Sequence, residues 1–566
     1  MSSIIRVATT QYRTSNDVQQ NLDTLLGLIK QAAEGGAQLL VTPEFGNHTS
    51  FYQDKSHAWA VAIDLDGDYL KAVQESARTH AIHVVFNATR RGEVAPDAYI
   101  TNFLVGPDGE LIGYSDKQVL MGGEAENLSR ALDSARVYET AIGRIGMMSC
   151  LDGVPPETAR NLALLGAQII TNSLNSCALD EPYMHIPVRA AENAVWVIAA
   201  GKVGPICVDE MIGPLVEKFG ISEHSITALG ENPILNTAGE AIARLPCLEA
   251  GIIFADIDPG VADNKSWSDG DLFKDRRPDL YQAVGKPPQA YAKNPSEPFD
   301  GAIVRVNSNR PFEINMERAL DLVADAAQNG ARLIVLPELF AFDLERLSAN
   351  PREALEQSRL LELAVLNQCR QSGVYVALSL LTEEQSLHHS GILISDQGER
   401  IACYHQTHLP QSYKDWCRPG NSLPVWDTPL GRIGFMLGYD ALFPEVATVL
   451  ARQGAEIIVH PTQWQFEWEP KYILPERAAE NRVSILSAAR ADSRVKRGGM
   501  ICAMSASLPL GARDLNPIWP LESPADRESH IQCRIDPARS RNKDLLGFDL
   551  QADRRPELYK NLLIQI

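Results

Sequence analysis

The chain has 566 residues, too many for a single hydrophobic core, and its 52 Lys and Arg against 72 Asp and Glu give a net charge of −20 at pH 7. This acidic excess would repel phosphate backbones and anionic lipid headgroups, so we exclude nucleic acid and membranes as expected partners. No segment approaches the roughly 20 apolar residues of a membrane span, and the N-terminus lacks the apolar stretch of an export signal, so we expect a cytoplasmic protein.

The cysteines give no sign of a disulfide framework or a metal site. There are nine of them, an odd number, and they are scattered without CxxC spacing or paired histidines. We therefore expect most of them to be buried packing residues and not the ligands of a structural zinc ion. We also expect no cofactor.

The first half of the chain predicts strands and helices in alternation. A short apolar run at 4–8 predicts a strand, and the next strand is predicted at 38–41. The intervening segment predicts a helix that ends at Gly35 and Gly36, because its apolar residues recur with helical spacing at Leu22, Leu25, Leu26 and Ile29.

The same alternation continues further along this half. Residues 142–148 predict a strand that leads into Cys150, and 169–171 predict the next strand. Between them, 156–165 predict a helix that ends at Gly166, a residue suited to the left-handed conformation after a helix. Near-continuous apolar strands alternating with helices are typical of a layered α/β fold whose sheets are covered on both faces.

The second half repeats this order. It predicts a strand at 302–306, a helix that carries Ala319, Leu320, Leu322 and Val323 and ends at Gly330, and a strand at 333–336. A Pro-rich polar stretch separates the halves. We therefore predict a first domain at 1–285, a linker at 286–299 and a second domain at 300–566.

Sequence identities confirm that the halves are two copies of one domain. The segment GRIGMMSCLDGVPPE around Cys150 returns as GRIGFMLGYDALFPE around Gly438, and RAAEN recurs at Arg189 and Arg477, so that both pairs lie 288 residues apart. DRRPDLY at 275–281 recurs as DRRPELY at 553–559. What both copies keep is interpreted as architecture, and what one copy drops as activity.

Three residues of the first copy form a candidate catalytic constellation. Glu44, Lys117 and Cys150 each follow an apolar strand, and strand ends in α/β folds converge on a cleft. The equivalent positions of the second copy read Glu338, Gln406 and Gly438, so this copy lacks both the thiol and the cation.

These residues resemble the Glu-Lys-Cys signature of the nitrilase superfamily, also called carbon–nitrogen hydrolases. The resemblance is carried by Pro43-Glu44, by Tyr114 to Lys117, by Cys150-x-Asp152 with Pro156-Glu157, and by RRPDLY at 276–281. It implies an αββα sandwich in each half, catalysis through a thioacyl-enzyme and no metal. It also implies that subunits pair through helical faces, so the tandem chain is predicted to form an intrachain pseudo-dimer, with further homo-oligomers left open.

The triad chemistry follows from the residue types. A free thiol is only a few per cent thiolate at neutral pH, so a nucleophilic Cys150 needs a base, and Glu44 is predicted to take its proton. Lys117 and the backbone N–H of Leu151 are predicted to hold the oxyanion. A glycine at 438 cannot attack, so the second domain is predicted to be non-catalytic.

Supporting residues are less strongly specified. The family often has a second glutamate beyond the Lys, for which we choose Glu124 over Glu126. The family also places the Lys two residues after the Tyr, whereas Ser115 and Asp116 intervene here. Either a one-residue bulge follows Tyr114 or this Tyr is not the equivalent one.

The substrate is predicted to be a small amide or a carbamoyl-type molecule with a non-peptide C–N bond. An Asp two residues after the Cys, as at Asp152, resembles the amidase and carbamoylase branches of the family. The nitrile-hydrolysing branch typically has Glu at this position. Asn175 is a candidate for substrate binding, and Asp180 and Glu181 would suit an amine-bearing group or be solvated acids.

Several alternatives remain open at this point. Nitrile hydrolysis could use the same triad, and a non-catalytic assembly or regulatory protein would fit the degenerate half. No GxxxxGK[ST] loop supports an attached ATP-dependent activity, and no GxSxG elbow supports a serine hydrolase. The second copy could serve as a structural partner, or its vacant pocket near Glu338 could bind an effector.

Overall fold

The computed structural model describes residues 4–220, 222–267, 269–288, 291, 296–504, 518–545 and 547–565. Within these residues, no helix combines the length and the apolar composition needed to cross a bilayer.

Among the described residues of the first half, which ends in a short hairpin, there are sixteen strands and seven α-helices. The strands are β1 Ile5–Gln11, β2 Leu39–Val41, β3 His83–Arg91, β4 Ala98–Val105, β5 Leu111–Asp116, β6 Val137–Thr140, β7 Gly143–Ser149, β8 Ile169–Leu174, β9 Trp196–Gly201, β10 Val203–Pro205, β11 Thr227–Leu229, β12 Pro233–Leu235, β13 Ala241–Arg244, β14 Gly251–Ile257, β15 Ser266–Trp267 and β16 Gly270–Asp271. The helices are α1 Val18–Glu34, α2 Lys55–Val61, α3 Asp68–His80, α4 Gly122–Asn127, α5 Pro156–Leu164, α6 Ile186–Asn193 and α7 Asp209–Phe219.

The second half contains a matching series. Its strands are β17 Phe299–Arg305, β18 Ala331–Val335, β19 Tyr375–Glu383, β20 Leu387–Ile394, β21 Arg400–His405, β22 Val425–Thr428, β23 Gly431–Phe435, β24 Ile457–Thr462, β25 Ser484–Ala489, β26 Met500–Met504, β27 Ile518–Glu522, β28 Ser529–Ile535, β29 Asp544–Leu545 and β30 Phe548–Asp549. Its helices are α8 Phe312–Gln328, α9 Leu344–Ala349, α10 Pro351–Ser372, α11 Gln411–Lys414, α12 Pro444–Arg452, α13 Leu474–Asn481 and α14 Pro537–Ser540.

The predicted strands and helices are confirmed, because each run read from periodicity falls in an element of the expected type. Their local causes are also visible. Asp17 caps α1 by accepting hydrogen bonds from the backbone N–H groups of Gln19 and Gln20. Gly166 follows α5 with a φ of 90°, the left-handed conformation that favours glycine.

The first copy is a four-layer αββα sandwich. One six-stranded sheet has the order β14-β1-β2-β3-β4-β5 and the other the order β13-β12-β9-β8-β7-β6. Apolar side chains of both sheets meet in one core, among them Val7 and Val41 from the first and Ile145 and Ile198 from the second. The opposite face of the first sheet packs on α1 and α3, and α5 and α6 pack on the second sheet.

The second copy has the same layers, with sheets in the orders β21-β20-β19-β18-β17-β28 and β22-β23-β24-β25-β26-β27. The two sheets approach closely, since a Cβ on Gly301 of β17 would lie 2.8 Å from the Leu486 side chain of β25. The outer face of the first of these sheets packs on α8 and α10. The α/β fold with two αββα halves is thus confirmed.

The compact units of the structure differ from the sequence halves at their ends. The first unit takes its described residues from Met1–Lys265 and Asp544–Leu562, while the second includes everything described from Ser266 onward except that late segment. The hairpins β15–β16 and β29–β30, with the DRRP motifs that follow them, therefore each belong to the unit of the other copy. Of the predicted linker, 289–290 and 292–295 lie outside the described residues.

Buried ion pairs hold these exchanged segments. In the first unit Arg554 pairs with Glu157, and in the second unit Arg276 pairs with Glu445 at 3.2 Å. All four side chains are almost completely shielded from solvent. Each unit is therefore completed by a segment that the sequence repeat assigns to the other copy.

Candidate active site

The predicted catalytic side chains of the first copy lie together inside the first unit. Glu44 follows β2, Lys117 follows β5 and Cys150 follows β7, and all three are buried. The Lys117 ammonium donates to Glu44 Oε1 at 2.8 Å and to both carboxylate oxygens of Glu124 at 2.9 and 2.8 Å. The charges of Lys117, Glu44 and Glu124 also act on the Cys150 thiol.

The backbone around the site is held in an uncommon conformation. Cys150 has a φ of 43° and Phe45, the residue after Glu44, a φ of 53°, which is the left-handed region. Asn87 joins the two turns, because its Oδ1 accepts from the Phe45 backbone N–H at 2.9 Å and its Nδ2 donates to Ser149 Oγ at 3.1 Å. This buried network fixes the turns at Glu44 and Cys150 relative to each other.

Asp152 ties the Lys117 loop to the Cys150 turn. Its carboxylate accepts backbone hydrogen bonds from Gln118 at 3.0 Å, from Val119 at 2.9 Å and from Ser149 at 3.2 Å. Burial raises the pKa of Asp152 to about 6 despite these bonds. Asp152 therefore positions the loops that carry Lys117 and Cys150.

The structure separates the two candidates for the second glutamate. Glu124 bonds to Lys117 and also accepts from the Met121 backbone N–H at 3.0 Å, whereas Glu126 is exposed. Glu124 thus lies where the resemblance predicts a supporting acid.

The strand register shows that Tyr114 is not followed by a bulge. Pairing between β4 and β5 runs without a shift from Phe103 opposite Tyr114 to Thr101 opposite Asp116, and its irregularity lies earlier, at Val105. Because strand residues alternate between faces, Tyr114 points away from the face that carries Ser115. The second copy has Tyr404 two residues before Gln406, so its counterpart here is Ser115.

The buried charges set the resting protonation of the site. Burial raises the pKa of Glu44 to about 8 in spite of Lys117, which is shared with Glu124. Burial opposes the charge on Lys117, but the two glutamates outweigh it and raise the Lys117 pKa well above its usual value. Burial and the charges of Glu181 and Glu44 raise the pKa of Cys150 well above that of a free thiol.

Two residues of the site were not among the predicted catalytic groups. Glu181 is buried, and the Cys150 thiol points to its Oε1 at 3.7 Å, so the interpretation of Glu181 as a solvated acid is wrong. Lys202 is buried near Glu44, and burial lowers its pKa to about 7. The repeat carried a signal for both, because Glu469 and Arg490 stand 288 residues later with the same charge signs.

The remaining predicted residues are neighbours of the site in the chain: Leu151 follows Cys150, and Asn175 follows Leu174, whose carbonyl accepts from the Glu44 backbone N–H at 3.3 Å. Asn175 follows β8, and its Oδ1 is buried without a hydrogen-bond partner among the described residues. Both amide atoms of Asn172, on β8, share this property. Leu151 packs beside Val119, and the role of its backbone N–H stays a prediction.

The sequence model of the carbon–nitrogen hydrolase family matches residues 6–265 and 302–506, most of the chain and both copies. The chain belongs to the carbon–nitrogen hydrolase family. This confirms the resemblance and the tandem duplication.

Several carbon–nitrogen hydrolases of known name are similar to this chain. The deaminated glutathione amidase of Mus musculus is 30% identical over 213 residues, which span 33% of this chain and 65% of that relative. A nitrilase of Pyrococcus abyssi is 29% identical over 45% of this chain and 90% of its own length. The solved structure of an amidase from Nesterenkonia sp. has 22% identity, covers 47% of this chain and 94% of its own, and gives a TM-score of 0.38.

The second carbon–nitrogen hydrolase copy keeps the backbone of the site and part of its chemistry. Gly438 has a φ of 39° and Leu339, after Glu338, a φ of 43°, close to the values at Cys150 and Phe45. Glu338 is buried and accepts from the Tyr413 hydroxyl at 3.0 Å. Gln406 bonds instead to His389 at 2.7 Å and to the Leu437 carbonyl at 2.9 Å.

Proposed function

We propose that the first copy hydrolyses the non-peptide C–N bond of a small amide or carbamoyl-type substrate through a thioacyl-enzyme on Cys150. The observation that carries this proposal is the cluster of the buried Glu44 and Lys117 with the partly buried Glu124, whose charges act on a thiol held at a strand end. Membership of the family supports hydrolysis in general, and the named amidases among the relatives support the amide class.

In the first half of the reaction the Cys150 sulfur attacks the substrate carbonyl carbon while Glu44 takes the thiol proton. The carbonyl oxygen becomes an oxyanion, which the Lys117 ammonium and the Leu151 backbone N–H stabilise. The C–N bond then breaks as Glu44 passes its proton to the leaving nitrogen.

In the second half Glu44 takes a proton from water, and the resulting hydroxide attacks the thioester carbon. Collapse of this second oxyanion breaks the C–S bond, and the proton held by Glu44 returns to the sulfur. The products are a carboxylic or carbamic acid and ammonia or an amine, and the enzyme is regenerated.

The raised pKa values favour this order of events. Because the Cys150 pKa lies well above neutrality, the thiol is protonated at rest and its proton must leave as the sulfur attacks. A Glu44 pKa of about 8 makes this carboxylate a stronger base than an exposed glutamate.

The rate of the proposed reaction is expected to depend on pH through the ionisation of Glu44. Glu44 acts as a base only after losing its proton, so kcat/KM should rise from pH 6 through about 8 and then level off. In Glu44→Gln this rise should vanish and kcat/KM should fall by about 10²- to 10⁴-fold. A series of initial-rate measurements between pH 6 and 9.5 checks both.

Glu126→Gln is the matched control for this prediction, because Glu126 is an exposed acid close to Glu124 in the chain. Its profile should follow that of the unchanged enzyme. A rise with pH that survives in Glu44→Gln would assign the titration to another group, such as Lys202.

The substrate class is tested with a panel of primary amides, N-carbamoyl amines and nitriles. We expect ammonia release and a transient acyl adduct, seen by intact-mass spectrometry, with amides or carbamoyl compounds. Turnover restricted to nitriles would favour nitrile hydrolysis as the function, which the similarity to the nitrilase of Pyrococcus abyssi supports. No turnover of any class would favour the non-catalytic alternative.

We propose a non-catalytic role for the second copy. Gly438 offers no side chain for attack, and Gln406 offers no charge for an oxyanion. The second copy instead contributes a segment to the first unit, because that unit includes residues 544–562.

A further inference from the structure

The second unit contains a cavity of about 430 Å³ at the position that corresponds to the active site. Gly438 and Glu338 line it together with residues of three other segments. Cavities of roughly 300–1,000 Å³ are the usual size of small-molecule sites in proteins. The loss of the nucleophile has therefore not closed this pocket.

The lining of the cavity is acidic. Its described residues include four carboxylic acids, namely Asp269, Glu338, Glu345 and Glu469, and no Lys, Arg or His. Glu338 and Glu469 are only 4% and 6% exposed. Two buried carboxyl groups without a cation in the lining favour a ligand that brings a positive charge.

This copy has lost the cation that the first copy holds at the same place. In the first copy Lys117 donates to Glu44, the counterpart of Glu338. Gln406 replaces that lysine and is bonded to His389 and Leu437. A ligand ammonium beside Glu338 would restore the missing charge.

Glu469 is a second buried acid of the cavity, and only one of its carboxylate oxygens is hydrogen-bonded within the described residues. Its Oε1 accepts from the backbone N–H groups of Gln465 at 2.9 Å and Phe466 at 2.8 Å. No hydrogen bond from the described residues reaches its Oε2. This buried carboxyl group lines the cavity and so has an oxygen available to a hydrogen-bond donor.

Part of the remaining wall is apolar and aromatic, beside the polar residues Ser348, Ser412, Gln463 and Gln465. Trp267 and Phe466 line the cavity with their ring centroids 5.3 Å apart, and Leu344 and Leu442 add aliphatic surface. Such surfaces accommodate the hydrocarbon part of an amine, and aromatic faces also attract cations.

We propose that the pocket of the second copy binds a small alkyl or aralkyl primary ammonium ion without converting it. The ammonium group donates to Glu338 and Glu469, and the hydrocarbon part packs on Trp267 and Phe466. This inference does not depend on the reaction proposed for the first copy.

The direct test is calorimetric titration of the full chain with three ligands of nearly equal shape: butylammonium, 1-butanol and butyrate. We expect butylammonium to bind at least about 10-fold more tightly than butanol, and butyrate to give no measurable binding. Equal affinity for butylammonium and butanol would overturn the proposal.

Substitutions locate the site. Glu338→Gln and Glu469→Gln should each weaken butylammonium binding about 10- to 100-fold, because each removes a charge-assisted hydrogen bond. Glu317→Gln, an exposed acid of α8, is the matched control and should leave the affinity unchanged. Unchanged affinity in both pocket variants would place the ligand elsewhere, including the Cys150 site, and overturn the proposal.

The pH dependence gives an independent readout if the pocket variants fail to fold, which their thermal unfolding would show. Burial raises the pKa of Glu338 to about 7 and that of Glu469 to about 8, and a bound cation favours their ionised forms. Butylammonium affinity should therefore rise from pH 6 to 9, while an alkylammonium with a pKa near 10.4 stays charged. A flat or falling affinity would contradict the site.

Other groups near these carboxyls do not reverse this sign. His389 is neutral over this range, because burial lowers its pKa to about 4, and burial raises the pKa of Tyr413 and Tyr439 well above it. Asp440 stays ionised, because its pKa is lowered by hydrogen bonds that outweigh burial. Asp269 and Glu345 also line the cavity, and Arg490 lies near Glu338.

Discussion

Replacing Cys150 with alanine is expected to abolish both turnover and the covalent adduct. The sulfur is the atom that bonds to the substrate carbon, and no other side chain of the proposed mechanism can replace it. Loss of the nucleophile from a catalytic triad costs rate factors of at least about 10⁴. Intact-mass spectrometry of the variant with a turned-over amide should show only the unmodified mass.

The matched control for this variant is Cys403→Ala. Cys403 lies on β21 in the second copy and is partly buried, but it has no place in the proposed mechanism. Its adduct and its rate should equal those of the unchanged enzyme. Turnover that survives in Cys150→Ala, or an adduct that moves to another cysteine, would end the proposal.

Replacing Arg554 with alanine is expected to destabilise the first unit by about 3–5 kcal/mol, because the variant leaves Glu157 buried without its partner. The segment also packs Leu545, Phe548 and Leu550 against Leu151, the residue after Cys150. Activity should therefore be lost together with stability. Differential scanning calorimetry combined with amide turnover measures both effects.

Arg555→Ala is the neighbouring control. Its side chain is 14% exposed but pairs with Glu557, which is 56% exposed and stays hydrated when the arginine is removed, so the expected loss is only about 0–1 kcal/mol. Because the first unit includes residues 544–562, a fragment of residues 1–290 expressed alone lacks part of this unit, and we expect it to be inactive. A stable and fully active fragment would show that the exchanged segment is not needed.

The sequence was sufficient for the fold class, and it selected three side chains, Glu44, Lys117 and Cys150, that the folded chain brings together. Their catalytic roles stay predictions. The α/β layers follow from apolar periodicity, and Glu44 and Cys150 follow from their places after strands. Both signals lie within short stretches of sequence, and the internal repeat provides a second copy with which each stretch can be compared. The spacing of Tyr114 was ambiguous for the opposite reason, because a register can be established only against the paired strand.

Two features could not be derived from local signals. Glu181 resembled a loop acid because 31 residues separate it from Cys150, and only folding brings the two within 3.7 Å. The exchange of terminal segments was hidden because similarity assigns each DRRP motif to the copy that precedes it, whereas Arg276 and Arg554 pair with the other one.

The backbone and the space at Gly438 determine what a cysteine at this position would require. A glycine adopts this left-handed turn without strain, and Glu338 Oε2 lies 2.5 Å from the point where a Cβ at 438 would be. A cysteine at 438 would therefore require the Glu338 carboxylate, which accepts a hydrogen bond from Tyr413, to move aside. Restoring a thiol at 438 would thus need an adjustment of Glu338 as well, so this single substitution is not expected to recreate the arrangement found around Cys150.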